Sequence, residues 1–368
     1  MGRGMEDEPA ILFKSTEQEV DGVKGSSELQ VAASTGPRTR PQHASNPKQF
    51  SKGSRRGGLL RGLTFWWPTN YSMLLFRTIN RDMDLPNHND DHVAQLLSSH
   101  LMPIRARITQ CMPGSLTAWK RTVEHPKRGT PGVCNFVDAR TKWFDQAVRM
   151  AIEEGISQVV IIAAGFDTRA YRMHAPGVKF FEIDLPHASA KKQSLIEKVL
   201  KDATKYPRPE YIAADLSCIS LARALSTSSY EPAQKTIFTC EGLLYYLPQG
   251  AAHRLMADVG QLSLPGSRFL FDFLHLDVLQ GTSNPCAYAC TAKSVANKGE
   301  PFVSGMQPTP AAVRAFFWPH GFDLSELLGP REMAAHMLPH LVWDQEVPPI
   351  LSFFSFAEGT KLASSDRE

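Results

Sequence analysis

The strongest constraint on this chain is a series of short, unbroken apolar runs, most of them closed by a small or acidic residue. They are residues 158–165 (QVVIIAAG), 178–184 (VKFFEID), 211–216 (YIAADL), 235–240 (KTIFTC), 267–273 (SRFLFDF) and 350–357 (ILSFFSFA). Runs that are continuous rather than alternating, and rich in β-branched and aromatic residues, belong to strands buried on both faces, as in a parallel sheet. Between them, residues 188–201 and 249–262 carry helical periodicity. Strand and helix in alternation predict right-handed βαβ units and a Rossmann-like α/β domain. Upstream, residues 91–107 place Val93, Leu96, Leu97, Leu101 and Ile104 on one helical face. Residues 141–154 do the same with Phe144, Ala147, Val148 and Ala151, and Gly155 closes that helix.

Composition narrows the classes of partner. Of 368 residues, 42% are hydrophobic and 21% charged, which is a globular balance and not that of a disordered or fibrous chain. Forty basic residues against 37 acidic ones leave a charge of only +3, so neither a nucleic-acid nor a membrane partner is expected. Cysteines at 111, 134, 218, 240, 286 and 290 form no CxxC pair and read as reduced thiols. The start, MGRGMEDEPA, lacks the basic and apolar regions of a secretory signal. The most apolar stretch, residues 58–76, contains Arg61, Pro68 and Asn70, and so falls short of the roughly 20 apolar residues of a spanning helix. A cytoplasmic protein is expected.

Residues 1–57 read as a disordered tail, and from 29 to 81 there is no acidic residue but nine Arg or Lys, Arg77 and Arg81 among them. That run is taken as a solvated basic tail, with organelle targeting as the competing reading. Residues 58–139 then form an N-terminal helical cap. Within it 107–133, dense in Pro and Gly, reads as a lid or surface insertion, and 140–368 form the ligand-binding domain.

In open parallel sheets, ligands bind beyond the carboxyl ends of the strands, where the strand order reverses. After the first run, Gly165 supplies one of the three glycines of a dinucleotide GxGxxG, which disfavours a diphosphate ligand and leaves a nucleoside. Asp184 lies nineteen residues further on, close to the spacing of about 20 at which a carboxylate accepts from ribose hydroxyls. The alternative is a helix cap, since Pro186 follows. Asp215 with Leu216 suits an exocyclic amine and an adenine ring, or a simple turn. Glu241, beside Gly242, Tyr245 and Tyr246, suits a ligand wall or a satisfied buried carboxylate. His88 and His92 with Asp90 and Asp91 have helical spacing, but at an acidic helix start they read as solvated capping, so no metal site is expected.

These stretches occur together in one known family. Residues 140–173, RTKWFDQAVRMAIEEGISQVVIIAAGFDTRAYRM, closely resemble the S-adenosylmethionine-dependent methyltransferases of the leucine carboxyl methyltransferase family, nearest its branch of small-molecule O-methyltransferases. FEIDLP at 181–186, ADL at 214–216, EGLLYYLP at 241–248 and PGSRFLFDF at 265–273 fit the same family in the same order, over about residues 70–358. The resemblance implies a class I methyltransferase fold: a mostly parallel seven-stranded sheet with helices on both faces and an N-terminal helical cap. It implies S-adenosyl-L-methionine as cofactor, with Arg140 pairing its carboxylate, Gly165 lining the methionyl part and Asp184 holding the ribose. Asp215 and Leu216 would embrace the adenine, and Glu241 would lie near the amino group. One departure is Ala163, where the family usually has Gly.

The reaction implied is SN2 methyl transfer to an oxygen, carboxylate or hydroxyl, of a small molecule. Positioning supplies much of such catalysis. A carboxylate acceptor needs no base. A hydroxyl benefits from one, for which His275 and His253 are the candidates; Tyr245 and Tyr246 would instead orient the acceptor, and His275 and Tyr245 are the candidate catalytic residues. Residues 277–305 are expected to shape the acceptor pocket. The competing functions are a protein C-terminal carboxyl methyltransferase and an inactive nucleoside-binding module. The DTRAYR form favours the small-molecule acceptor, and the joint presence of Arg140, Asp184, Asp215 and Glu241 favours an active enzyme. The acceptor and the oligomeric state are left open.

Overall fold

The computed structural model describes residues 69–367; the tail expected over 1–57 and the start of the cap region lie outside them. The described residues open with five helices: α1 (Thr69–Asp82), α2 (His92–Leu101), α3 (Pro103–Cys111), α4 (Ser115–Val123) and α5 (Val133–Glu153). The single helix expected over 91–107 is two. Pro103 has no N–H to continue α2 and instead starts α3 at a position where none is needed. α5 begins eight residues earlier than its apolar pattern, so the boundary expected at 139/140 falls inside it. Residues 115–123, expected in a lid, form α4, with Val123 buried.

The sheet follows in βαβ order. Its strands are β1 (Gln158–Ile162), β2 (Lys179–Asp184), β3 (Glu210–Ala213), β4 (Thr236–Cys240), β5 (Arg268–Leu274), β6 (Phe322–Leu328) and β7 (Phe354–Lys361). Among the described residues they form one seven-stranded sheet ordered β3-β2-β1-β4-β5-β7-β6. β7 alone runs opposite to the other six strands. Strand order reverses between β1 and β4. The connecting helices are α6 (Arg169–Arg172), α7 (Pro186–Val199), α8 (Leu221–Leu225), α9 (Gln249–Leu262), α10 (Leu276–Leu279), α11 (Tyr288–Ala296), α12 (Pro310–Phe317) and α13 (Pro330–Met337).

Both faces of the sheet are covered, as the unbroken apolar runs require. Val159, Ile161, Ile237, Leu270 and Phe356 pack with Phe144 and Val148 of α5 and Leu75 of α1. Each fully buried side chain of this size contributes about 1.5–3 kcal/mol. On the other face Phe271 meets Phe316 and Phe317 of α12 at ring distances of 5.5 and 5.3 Å. Among the described residues no helix is long and apolar enough to cross a membrane.

Three strands depart from the sequence pattern. β3, an edge strand, stops at the exposed Ala213, so the run expected over 211–216 is strand only in its first three residues and is not buried on both faces. β6 (FDLSELL) has no apolar run to announce it, because it is an edge strand with Ser325 exposed and Asp323 and Glu326 half-buried. The run at 350–357 straddles the start of β7, whose residues Phe354 to Ala357 are its apolar half.

Candidate functional site

The loop leaving β1 is shaped by two left-handed residues, Ala163 (φ +52°) and Gly165 (φ +43°). A Cβ at Gly165 would meet only the Ala163 carbonyl oxygen, at 3.9 Å, so space is open above this backbone. The Gly165 N–H donates to Asp184 Oδ2 at 2.6 Å, and the Leu185 N–H donates to Oδ1 at 2.7 Å. The ends of β1 and β2 are thereby joined through the carboxylate that the sequence singles out. The Ala214 N–H donates to the Asp184 carbonyl at 2.9 Å and brings the end of β3 alongside. Asp215 and Leu216 follow it, both half-buried. The Asp215 carboxylate accepts from the Ser217 hydroxyl (2.7 Å) and N–H (2.9 Å), bonds that hold it below the usual carboxylate range.

At the end of β4, Glu241 sits in a cluster of arginines. Arg169 donates to its Oε2 at 2.8 Å, Arg77 donates to Oε1 at 3.2 Å, and Arg140 Nε lies 3.1 Å from Oε1. Burial alone would raise this carboxyl; Arg140, Arg169 and Arg77 together hold it far below its ordinary value. Arg140, on α5, also donates to Asp272 Oδ2 of β5 at 3.1 Å, and Asp272 Oδ1 accepts from the Gly242 N–H at 2.6 Å. Burial pushes the Asp272 carboxyl up, against the pull of Arg140.

The network extends into the cap. Arg77 of α1 reaches the Phe166 carbonyl (3.2 Å) and Asp91 (3.4 Å). Asp91 caps α2 through the Ala94 N–H and accepts from Thr168 Oγ1 at 2.6 Å. Arg172 grips Asp145 of α5 with two bonds of 2.6 Å, and Arg169 binds Asp145 at 2.8 Å and also Asp167. Every charged side chain in this network is less than a tenth exposed. Asp91 is therefore a buried cap, not the solvated one its sequence context suggests. Arg77 likewise belongs to the core of the site and not to a solvated basic tail. Within the network the Nε of Arg77 has no hydrogen-bond partner among the described residues.

The structure thus joins Gly165 to Asp184 and Arg140 to Glu241, and Arg77 spans the loop after β1 and the end of β4. Asp145, Asp167, Arg169, Arg172 and Asp272 are not singled out in the sequence, where Arg77 reads only as part of a basic run and Asp91 only as a solvated cap. Most of these stand inside the quoted motifs, which was their one signal. Arg77 and Asp91 have no such signal, since their partners lie far off in the chain.

The two base candidates and Tyr245 part ways. His275 is bonded to Ser355 Oγ at 2.8 Å, and burial holds its imidazole below the ordinary value, so it sits neutral against β7. Tyr245 lies between Arg140 and Asp272, each 3.4 Å from its hydroxyl, and burial and Asp272 push its phenol well up. His253, on α9, is exposed at one side and lines a cavity of about 330 Å³. That cavity lies between α9, α12 and the end of β5, with Tyr245, Ser304 and Gln307 in its wall. Of the segment 277–305, only Ser304 and Gly305 line it. A second groove, of about 500 Å³, is lined by Met83 and residues of 117–126 and so belongs to the cap, away from the strand ends.

A protein of Mycobacteroides abscessus named "Putative S-adenosyl-L-methionine-dependent methyltransferase" is 37% identical over 152 residues, covering 39% of this chain and 48% of the relative. One of Frankia alni bearing the same description is 36% identical over 159 residues, 42% of this chain and 56% of its own length. The chain thus spans about half the length of these relatives. A crystal structure of a "putative methyltransferase" from Thermobifida fusca covers 81% of this chain and 99% of its own at 16% identity, with a TM-score of 0.47. Residues 75–260 match the leucine carboxyl methyltransferase family, and the chain belongs to that family.

Proposed function

We propose that the protein is an S-adenosyl-L-methionine-dependent methyltransferase that transfers a methyl group to an oxygen of a small molecule. The observation that carries this reading is the Gly165–Asp184 pair, 2.6 Å apart, standing at the strand-order reversal next to the Arg77–Arg140–Glu241 cluster. The residues present fit such a cofactor. Asp184 keeps lone pairs for ribose hydroxyls, the open space above Gly165 admits a close ligand, and the orphaned Arg77 Nε calls for an acceptor such as a carboxylate. The names of the relatives support the same cofactor.

When bound, S-adenosyl-L-methionine supplies a methyl on a sulfonium, already a strong electrophile. The chain's own part is placement. Asp184 holds the ribose, Asp215 and Leu216 flank the adenine, and Gly165 lets backbone approach the methionyl part. Glu241 takes three guanidiniums at once, so in this reading it fixes Arg77 and Arg140 where a cofactor carboxylate and amino group are to be bound. The sulfonium would supply the methyl to the acceptor oxygen and leave as a neutral sulfide keeping the electron pair of the broken bond. A hydroxyl acceptor must also give up its proton, and His253, open to solvent at the cavity wall, is the side chain to take it.

Calorimetric titration of the full chain tests the reading. S-adenosyl-L-methionine and S-adenosylhomocysteine are expected to bind at micromolar Kd, NAD not at all, and Asp184→Ala to weaken both nucleosides at least tenfold. A folded protein that binds neither of them overturns it.

A further inference from the structure

We propose that the cavity between α9, α12 and the end of β5 receives the methyl acceptor and selects an uncharged, largely apolar molecule presenting a neutral hydroxyl. This rests on the methyltransferase reading above and narrows it, since the family's description names a carboxyl acceptor.

The lining chemistry is the first support. Phe273, Leu274, Met306 and Phe316 form apolar walls, while Gln249, His253, Ser304 and Gln307 offer hydrogen bonds without a fixed charge. Among the described residues, no Lys, Arg, Asp or Glu lines the cavity. An ionised carboxylate entering it would lose hydration with no cation in the wall to replace it, whereas a hydroxyl needs only one or two neutral partners. The guanidiniums of the strand-end cluster are held by Glu241 and Asp272 instead.

The second support is that the wall is built rather than incidental. Residues 303–306 are strapped across the strand ends. The Val303 N–H donates to the Tyr245 carbonyl (2.9 Å), Ser304 Oγ to the Leu244 carbonyl (2.8 Å), and the Met306 N–H to the Leu274 carbonyl (2.9 Å). The Leu276 N–H returns a bond to the Met306 carbonyl at 3.0 Å. Gly305 passes so close that a Cβ there would stand 2.9 Å from the Leu274 carbonyl oxygen. A cavity of about 330 Å³ held this way is of ligand-site size, which begins near ~300 Å³. Location is the third support. Tyr245 belongs to this wall and, through its hydroxyl, to the Arg140–Asp272 cluster, so the cavity adjoins the cofactor-binding strand ends.

The test uses two probes with the same rings and different charge, 1-naphthol and 1-naphthoate, titrated calorimetrically into the full chain at pH 7 with and without S-adenosylhomocysteine. Naphthol is expected to bind at least tenfold more tightly than naphthoate. Ala312→Trp, which fills the cavity from α12, is expected to weaken naphthol at least tenfold while S-adenosylhomocysteine affinity stays within twofold. Ala315→Phe serves as the second variant should the first lose its fold. Naphthoate binding as tightly as naphthol, no naphthol binding, or naphthol binding unaltered by the filled cavity would each overturn the proposal. Failure of S-adenosylhomocysteine to bind overturns the cofactor reading separately, since the naphthol comparison is also made without it.

Discussion

Ala163 holds a φ of +52° at the turn from β1 into the site, a conformation that L side chains avoid because Cβ crowds the following carbonyl. The strain costs roughly 1–2 kcal/mol per residue. Glycine would relieve it but adds about 0.4–1 kcal/mol of unfolded-chain entropy. The balance predicts that Ala163→Gly raises stability by up to about 1 kcal/mol, seen as a higher urea midpoint at unchanged slope. A lower midpoint would mean that the alanine methyl makes packing contacts worth more than the strain. At the sequence level, Ala163 stands out only as a departure from the glycine that the resemblance implies. The positive φ supplies a physical reason for glycine at such a turn.

At the scale of elements, what was legible is what repeats locally. β1, β2, β4 and β5 announce themselves because both their faces are buried, and Asp184 and Glu241 were found because they stand where those strands stop. β6 was not, since an edge strand with half-buried Asp323 and Glu326 carries no such run. The partners of Glu241 were hidden for a different reason: Arg77 lies 164 residues away in sequence, and no periodicity links them. The same limit applies to Glu182 of β2, whose surroundings come from three separate elements. It pairs with Lys192 of α7 at 2.7 Å and lies 3.5 Å from the hydroxyl of Tyr171 on α6, which in turn bonds Tyr211 of β3. Burial outweighs Lys192 and pushes the Glu182 carboxyl up to about 7. The folded protein then holds a proton that the unfolded chain releases near pH ~4.3, so the contribution is fully present below that pH. It is lost as pH rises to about 7. Relative to Glu182→Gln, the wild type is expected to lose on the order of 2–3 kcal/mol between pH 4.5 and 7.5, at about 1.4 kcal/mol per pH unit. Urea unfolding of both proteins across that range measures it, and parallel curves would mean that Glu182 ionises normally in the fold.

At the scale of the whole molecule, the buried charge network decides whether cap and sheet are separable. Arg77 and Asp91 belong to the cap helices α1 and α2, Arg140 and Asp145 to α5, Asp167 to the turn after β1, Arg169 and Arg172 to α6, and Glu241 and Asp272 to the ends of β4 and β5. Peeling the cap from the sheet would leave Glu241 and Asp91 each short of a cation, and stranding a buried charge costs about 3–5 kcal/mol. A cap joined to its sheet by a solvated surface would come away first. This one should not. Heat or urea is therefore expected to unfold residues 69–367 in a single transition, with calorimetric and van't Hoff enthalpies equal. Glu241→Gln, which keeps the shape but removes the anion shared by Arg77, Arg140 and Arg169, is expected to cost about 3 kcal/mol. The surface pair Arg314–Asp323, 3.2 Å apart with side chains 55% and 43% accessible to solvent, is the comparison. Arg314→Gln there should change stability by less than about 0.5 kcal/mol, because water and salt already screen that pair. Two transitions in the wild type, or equal effects of the two substitutions, would show that the network does not weld the cap to the sheet.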